Sequence, residues 1–162
     1  MKTHSSTSAA PDETASYAQD GLTAEFYRGR QDAVSDQAVI ILGGSDGNFK
    51  TTQQFAAAFA DHGLNTLALP YYGQPHLPKD LAQIPVETVE TAAGWLHRRG
   101  FTRIGIWGIS MGAQLALLAA SLIPAIGRVA AVSPLDVCVQ GLQVSPRKRL
   151  LDCSAFTWRG QD

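Results

Sequence analysis

The sequence has little of several features that would indicate common classes of protein. It contains two cysteines, Cys138 and Cys153, and no metal-ligand spacing. So few cysteines, with no secretory signal, predict reduced thiols in a cytosolic protein rather than a disulfide framework. The formal net charge is only −1, so the chain has no electrostatic footprint for nucleic acid or for an anionic membrane. The composition therefore gives no sign of a nucleic-acid or membrane partner.

An apolar leader is also lacking. Residues 1–21 have no hydrophobic region of the kind found in signal peptides or transmembrane segments, and they are rich in Ser, Thr, Ala and acidic residues. This composition predicts a disordered tail. The chain is long enough for one domain with a hydrophobic core but not for two, which places that domain in residues 22–162.

Apolar, β-branched runs alternate with helical patterns along this domain. Strands are predicted at "LTAEFYRG", "QAVIIL", "NTLALPYYG", "RIGIWG" and "RVAAVSP". Helices are predicted at "TTQQFAAAFADHG", at Pro85 to Arg99 and at "SMGAQLALLAASLI". Thr51 and Gln54 have capping-box spacing at the start of the first helix, and Pro85 suits the first position of the second. This alternation predicts a parallel sheet with helices on both faces. The active site is expected at the edge where the strands end.

A G-x-S-x-G pattern, Gly108 to Gly112, follows the "RIGIWG" strand and opens a helix that is apolar almost all round. In that context the pattern predicts a nucleophile elbow with Ser110 as the catalytic nucleophile. The flanking glycines, Gly108 and Gly112, would relieve crowding where the strand and the helix approach each other. The alternative interpretation is a plain Gly-Ser-Gly turn between two core elements.

An oxyanion hole needs two N–H donors near the nucleophile. One is predicted at Met111, directly after Ser110, and the other at Gly44 or Ser45 in the "GGSDGN" loop that follows an earlier strand. A plain turn is the alternative for this loop, because Gly-rich loops are common.

A histidine base is missing from the expected part of the sequence. In an elbow-containing hydrolase, the acid and then the histidine follow the serine along the chain. All four histidines precede Ser110: His4, His62, His76 and His97. His76 lies in a loop near the expected site edge and is the one weak candidate for a base. Asp136 follows the last predicted strand and could stand for an acid, but it has no histidine to orient.

Three motifs resemble the C-terminal catalytic domain of the acyl-CoA thioesterase and bile acid-CoA:amino acid N-acyltransferase family. They are the "YYG…LP" loop, the "L-x-x-IP-x-E" entry to a helix that carries "WL", and the "GISMGA-x-LAL" elbow. The ending "SAFTWRGQD" is also similar, and the likeness spans most of Ala38 to Asp162. The resemblance implies the α/β-hydrolase fold. Acyltransferase members have cysteine at the nucleophile position and thioesterases have serine, so Ser110 implies hydrolysis of acyl-CoA thioesters. Coenzyme A would then be a product, and no cofactor is expected.

Two departures from that family keep other interpretations open. Only about forty residues precede the "GGSDGN" loop, too few for the β-sandwich domain of vertebrate members. A small-ester or lactone hydrolase of dienelactone-hydrolase type is therefore the second hypothesis. The missing acid and histidine suggest a truncated domain that lacks its last strands, and an inactive fragment is the third hypothesis. Such a domain would leave "RVAAVSP" as an uncovered edge that favours self-association, with Val139 to Asp162 either folded over it or disordered.

Overall fold

The computed structural model describes residues 10–30, 36–144 and 147–161. The strands in these ranges are β1 Glu13–Ala15, β2 Ala24–Tyr27, β3 Gln37–Leu42, β4 Thr66–Ala68, β5 Ile84–Pro85, β6 Arg103–Ile109, β7 Ile126–Val132, β8 Gln140–Gln143, β9 Arg149–Ser154 and β10 Phe156–Thr157. The helices are α1 Tyr17–Asp20, α2 Phe49–Asp61, α3 Glu87–His97 and α4 Met111–Leu122.

Six of the strands form one sheet in the order β1-β2-β4-β3-β6-β7. The last four strands of that order run parallel to one another, while β1 and β2 are antiparallel to their neighbours. β3 lies inside the sheet, where Ile40 pairs with Leu67 of β4 and with Ile106 of β6. The strand and helix alternation in the sequence therefore predicted the mainly parallel sheet correctly.

The pleat of β3 divides the core into two layers, because successive residues of a strand face opposite sides of the sheet. Ile40 packs in a larger cluster that includes Trp95 of α3 and Leu115 of α4. Ile41 packs in a smaller cluster with Ala56 of α2. Helices thus cover both faces of the sheet, as predicted, with α3 and α4 on one side and α2 on the other.

β7 forms one edge of this sheet. No strand of the described ranges pairs with its outer side, and Val129 and Val132 remain 41% and 40% exposed. The expectation that the following residues cover this edge or stay disordered is wrong for their described part. Instead, β8 and β9 pair as an antiparallel hairpin, and β10 pairs in parallel with β5. Self-association through the β7 edge stays a prediction.

The expectation of a disordered tail is wrong for residues 10–21. β1 pairs with β2, and Ala15 packs in the larger core cluster with 1% of its surface exposed. A polar composition did not reveal this strand, because a three-residue strand has no pattern of its own and depends on its pairing with β2. The first nine residues of the predicted tail lie outside the described residues.

Two predicted helix starts also differ from the structure. α2 begins at Phe49, because the Asn48 side chain caps it by accepting a hydrogen bond from the Lys50 N–H at 3.1 Å. Asn caps a helix at least as well as Thr does, so the capping-box spacing at Thr51 was not decisive. Pro85 is not the first helical residue: it lies in β5 and pairs with Thr157. That pairing is a long-range contact that the local pattern could not show.

Candidate active site

Ser110 lies at the turn between β6 and α4 with φ 54° and ψ −118°. A positive φ is uncommon for any residue except glycine and indicates local backbone strain. Its N–H donates to the carbonyl of Val132 in β7 at 2.9 Å, and its own carbonyl accepts from the Ala113 N–H at 3.0 Å. These bonds hold the backbone on both sides of the turn, and Ser110 is exposed. The strand–turn–helix setting required for a nucleophile elbow is therefore present.

The two glycines of the motif fill positions that no other residue could occupy without movement of the backbone. A β-carbon on Gly108 would lie 2.1 Å from the carbonyl oxygen of Gly112. A β-carbon on Gly112 would lie 2.2 Å from the carbonyl oxygen of Gly43 and 2.8 Å from that of Leu42. β6, α4 and the end of β3 thus approach at backbone contact around Ser110. This close approach makes a chance turn a poorer explanation of the motif.

Removal of the strain at Ser110 should stabilise the protein. We expect Ser110→Gly to raise the free energy of unfolding by about 1 kcal/mol, because glycine adopts this conformation without a β-carbon clash. Ser110→Ala keeps the β-carbon and is the matched control, with an expected change within about 0.5 kcal/mol. Urea unfolding curves of the three proteins measure both changes. Equal stability of the glycine and alanine variants would show that the backbone at Ser110 is not strained.

α4 begins directly after Ser110, so its first N–H groups face the turn. The first N–H groups of a helix have no partner within that helix. In the described part of the chain, the Met111 N–H donates to no acceptor outside the helix. Unpaired N–H groups and the helix dipole at this end both favour negative charge. Met111 is therefore placed where the sequence predicted an oxyanion donor, although its role stays a prediction.

The loop after β3 lies against the same turn. A β-carbon on Gly44 would lie 3.8 Å from the β-carbon of Ser110 and 3.8 Å from the carbonyl oxygen of Ile109. Ser45 follows and is exposed. The structure thus brings Gly44 to Ser110, with Ser45 adjacent in the chain, as the sequence predicted. Which of their N–H groups is the second donor stays a prediction.

Tyr71 contacts this loop and was not singled out as a site residue from the sequence. Its hydroxyl oxygen lies 2.8 Å from the carbonyl oxygen of Gly43 and 3.2 Å from that of Gly44, so its single proton is shared between the two. Burial, followed by the nearby Tyr72 and Asp46, raises the pKa of Tyr71 far above its ordinary value. The hydroxyl therefore stays a donor at every pH at which the protein would be assayed. Tyr71 is the first residue of the "Y-Y-G" stretch in the "YYG…LP" motif, which supported the family resemblance but did not predict this contact.

The described histidines are engaged away from Ser110. His62 lies at the end of α2 with its Nδ1 2.8 Å from the Ala58 carbonyl oxygen, and the His97 Nδ1 lies 3.1 Å from that of Phe101. The ring of His76 stacks on Tyr17 at a centroid distance of 4.8 Å. His4 lies outside the described residues.

Asp136, the possible acid, is exposed in the loop after β7. In the described part of the chain, no histidine hydrogen-bonds to Ser110. A base for the serine is therefore unassigned.

An open apolar groove of about 860 Å³ lies along the sheet between α2 and β7. Phe59, Trp107 and Val129 line it, and Ser110 does not, so the groove is separate from the candidate site. The described ranges contain no group of three or more His, Cys, Asp or Glu side chains that could hold a metal ion. None of the described helices combines the length and the apolar character that crossing a membrane requires.

Solved structures show the same architecture. A protein of Klebsiella pneumoniae described as a dienelactone hydrolase superposes with a TM-score of 0.61 at 18% identity, over 78% of this chain and 60% of its own. The α/β hydrolase GrgF of Penicillium superposes with a TM-score of 0.58 at 21% identity, over 70% of this chain and 42% of its own. The chain has the α/β-hydrolase fold. At these identities the likeness establishes the fold alone.

Two curated proteins are similar in sequence. The peroxisomal succinyl-coenzyme A thioesterase of Mus musculus is 38% identical over 71 residues, which are 42% of this chain and 17% of the mouse protein. The mitochondrial acyl-coenzyme A thioesterase 2 of Rattus norvegicus is 33% identical over 115 residues, which are 65% of this chain and 25% of the rat protein. The matches thus span a quarter or less of these relatives. No protein-family profile matches the sequence.

Proposed function

We propose that Ser110 is the nucleophile of a hydrolase that cleaves acyl-CoA thioesters. The strained position of Ser110 between β6 and the start of α4, where the Met111 N–H has no described acceptor, carries this proposal. Elbow serines of this geometry serve acyl transfer in α/β-hydrolases. The two curated relatives are named as acyl-CoA thioesterases, which favours a thioester over other acyl substrates.

The reaction has two steps. The Ser110 oxygen attacks the thioester carbonyl carbon, and the carbonyl oxygen becomes an oxyanion that the N–H groups of Met111 and of Gly44 or Ser45 stabilise. Collapse of this intermediate breaks the C–S bond, releases coenzyme A and leaves an acyl-serine. Water then attacks the acyl-serine, which releases the carboxylic acid and restores Ser110. Coenzyme A is a product, and the proposed chemistry uses no cofactor.

Both steps need a base, which takes the proton of Ser110 in the first step and the proton of the attacking water in the second, since a hydroxyl at its free pKa is a poor nucleophile. The described histidines contact other groups, so the proposal names a nucleophile and oxyanion donors but no base. Reading the gene beyond codon 162 for an aspartate and a histidine is the cheapest way to search for it. The functional test therefore uses the full product of that gene.

The test measures release of the coenzyme A thiol from acyl-CoAs of short, medium and long chain. We expect Ser110→Ala to lower kcat/KM by about 10³-fold or more, because members of a catalytic triad act as a unit. Ser121→Ala is the matched control: this exposed serine lies at the far end of α4, where its hydroxyl donates to the Leu118 carbonyl. Its rate should be unchanged.

Two results would overturn the proposal. Release of coenzyme A that persists in Ser110→Ala would place the activity elsewhere. Cleavage of simple esters or lactones without cleavage of acyl-CoA, again dependent on Ser110, would favour the dienelactone-hydrolase type of activity instead.

A further inference from the structure

Tyr71 lies behind the loop that follows β3, three residues after the end of β4. Only 3% of its surface is exposed, and its ring packs against Tyr72 at a centroid distance of 5.3 Å. Its hydroxyl contacts two consecutive carbonyl oxygens, those of Gly43 and Gly44. A buried tyrosine hydroxyl that reaches two neighbouring peptide groups restricts the rotation of both.

The orientation of a peptide group fixes its N–H as well as its carbonyl. In a planar trans peptide, the C=O of one residue and the N–H of the next point in opposite directions. The contact of Tyr71 with the Gly43 carbonyl therefore turns the Gly44 N–H away from Tyr71. Its contact with the Gly44 carbonyl does the same for the Ser45 N–H. These two N–H groups are the candidates for the second oxyanion donor.

Gly44 lies between Tyr71 and the nucleophile. Its carbonyl contacts the Tyr71 hydroxyl, while a β-carbon on it would contact the β-carbon of Ser110 at 3.8 Å. Gly44 thus links the Tyr71 hydroxyl to the turn that carries Ser110. We propose that Tyr71 is a positioning residue that holds these two peptides with an N–H directed at the acyl oxygen. This inference rests on the proposed acyl-transfer function of Ser110.

Tyr72 provides a matched comparison in the same place. It is also buried, but its hydroxyl lies beside the backbone of Gly47, and in the described part of the chain it donates to no acceptor. Burial and the negative charge of Asp46 raise the pKa of Tyr72 to about 12, so its hydroxyl is neutral like that of Tyr71. The two hydroxyls therefore differ in what they meet: that of Tyr71 holds the carbonyls of Gly43 and Gly44, and that of Tyr72 lies beside Gly47, further along the loop. Removal of each hydroxyl separates loop positioning from general packing.

The experiment replaces the serine by a thiol, because a thiolate reacts without a neighbouring base. The parent protein is this chain with Ser110→Cys, Cys138→Ser and Cys153→Ser, which leaves one thiol. With p-nitrophenyl acetate, the thiolate forms a C–S bond through an oxyanion intermediate, and the C–O bond then breaks to release p-nitrophenolate. With iodoacetamide, the thiolate forms a C–S bond as iodide leaves, and no oxyanion arises. The ratio of the two rates cancels the thiolate fraction and isolates the oxyanion contribution.

We expect Tyr71→Phe to lower this ratio about 10-fold or more, since loss of one oxyanion donor slows acyl transfer by about 10²-fold to 10³-fold. Tyr72→Phe should leave the ratio unchanged. An unchanged ratio in Tyr71→Phe would overturn the positioning role and leave the proposed function standing. If the parent protein shows no higher ratio than a free cysteine peptide, the oxyanion hole is absent. The proposed function then fails together with the role of Tyr71.

A measurement on the unsubstituted chain tests the same idea without relying on the folding of Tyr71→Phe. A rigid backbone gives an NMR order parameter of about 0.85, and a flexible backbone gives values below about 0.6. If Tyr71 holds the loop, the Gly44 and Ser45 N–H vectors should have rigid values although Ser45 is exposed. Values in the flexible range for both would overturn the proposal.

Discussion

Gly108→Ala is expected to lower the free energy of unfolding by about 4 kcal/mol or more, among the largest effects of a single substitution. The new β-carbon would lie 2.1 Å from the carbonyl oxygen of Gly112, 2.4 Å from its carbonyl carbon and 2.7 Å from the nitrogen of Ala113. All three are backbone atoms of the first turn of α4, so no side chain can rotate away. Relief would require α4 to move from the sheet, and that movement would open the core packed around Leu115.

Gly105→Ala is the matched control because Gly105 lies in the same strand. A β-carbon there would find its nearest neighbour, the carbonyl oxygen of Arg128, at an ordinary 3.6 Å. We expect its stability to change by less than about 1 kcal/mol, with a gain favoured by the smaller backbone entropy of the unfolded chain. Urea unfolding of both variants measures the difference. Similar stability of Gly108→Ala and Gly105→Ala would show that β6 and α4 are not in backbone contact at the elbow.

The parts of the fold that the sequence predicted are those where local pattern and burial agree. "QAVIIL" is apolar on both faces, and the structure buries Ile40 in one core cluster and Ile41 in the other. The elbow was predictable because glycine occurs at two positions where a β-carbon meets backbone within 3 Å. In both cases a local contact sets the residue type: burial on both faces of the sheet requires apolar residues in β3, and backbone contact between β6 and α4 requires glycine at the elbow.

The parts that were missed depend on contacts between residues far apart in the chain. β5 exists because Ile84 and Pro85 pair with Phe156 and Thr157, and a two-residue strand has no pattern of its own. Tyr71 is 28 residues from Gly43, whose carbonyl it holds, and nothing in the spacing of the sequence indicates that contact. The position of the loop at Ser110 was thus predictable, but the group that orients it was not.

Ser110 in this 162-residue chain is expected to react with a fluorophosphonate about 10³-fold or more slowly than the serine of a hydrolase with a complete triad. Phosphonylation needs the serine proton to be removed, and no described histidine hydrogen-bonds to Ser110. Removal of one triad member costs a factor of about 10⁴ or more, because the oxyanion donors and binding alone supply only the remainder. The time course of labelling, followed by mass spectrometry of the intact chain, measures this rate.

The comparison needs one positive and one negative control. A serine esterase with a full triad, labelled in the same tube, shows that the probe is active, and Ser110→Ala shows which signal comes from the elbow. Rapid labelling that disappears in Ser110→Ala would contradict the expectation and would mean that a base reaches Ser110 in solution. His76→Ala would then test the loop histidine that the sequence favoured as a base, whose ring stacks on the exposed ring of Tyr17.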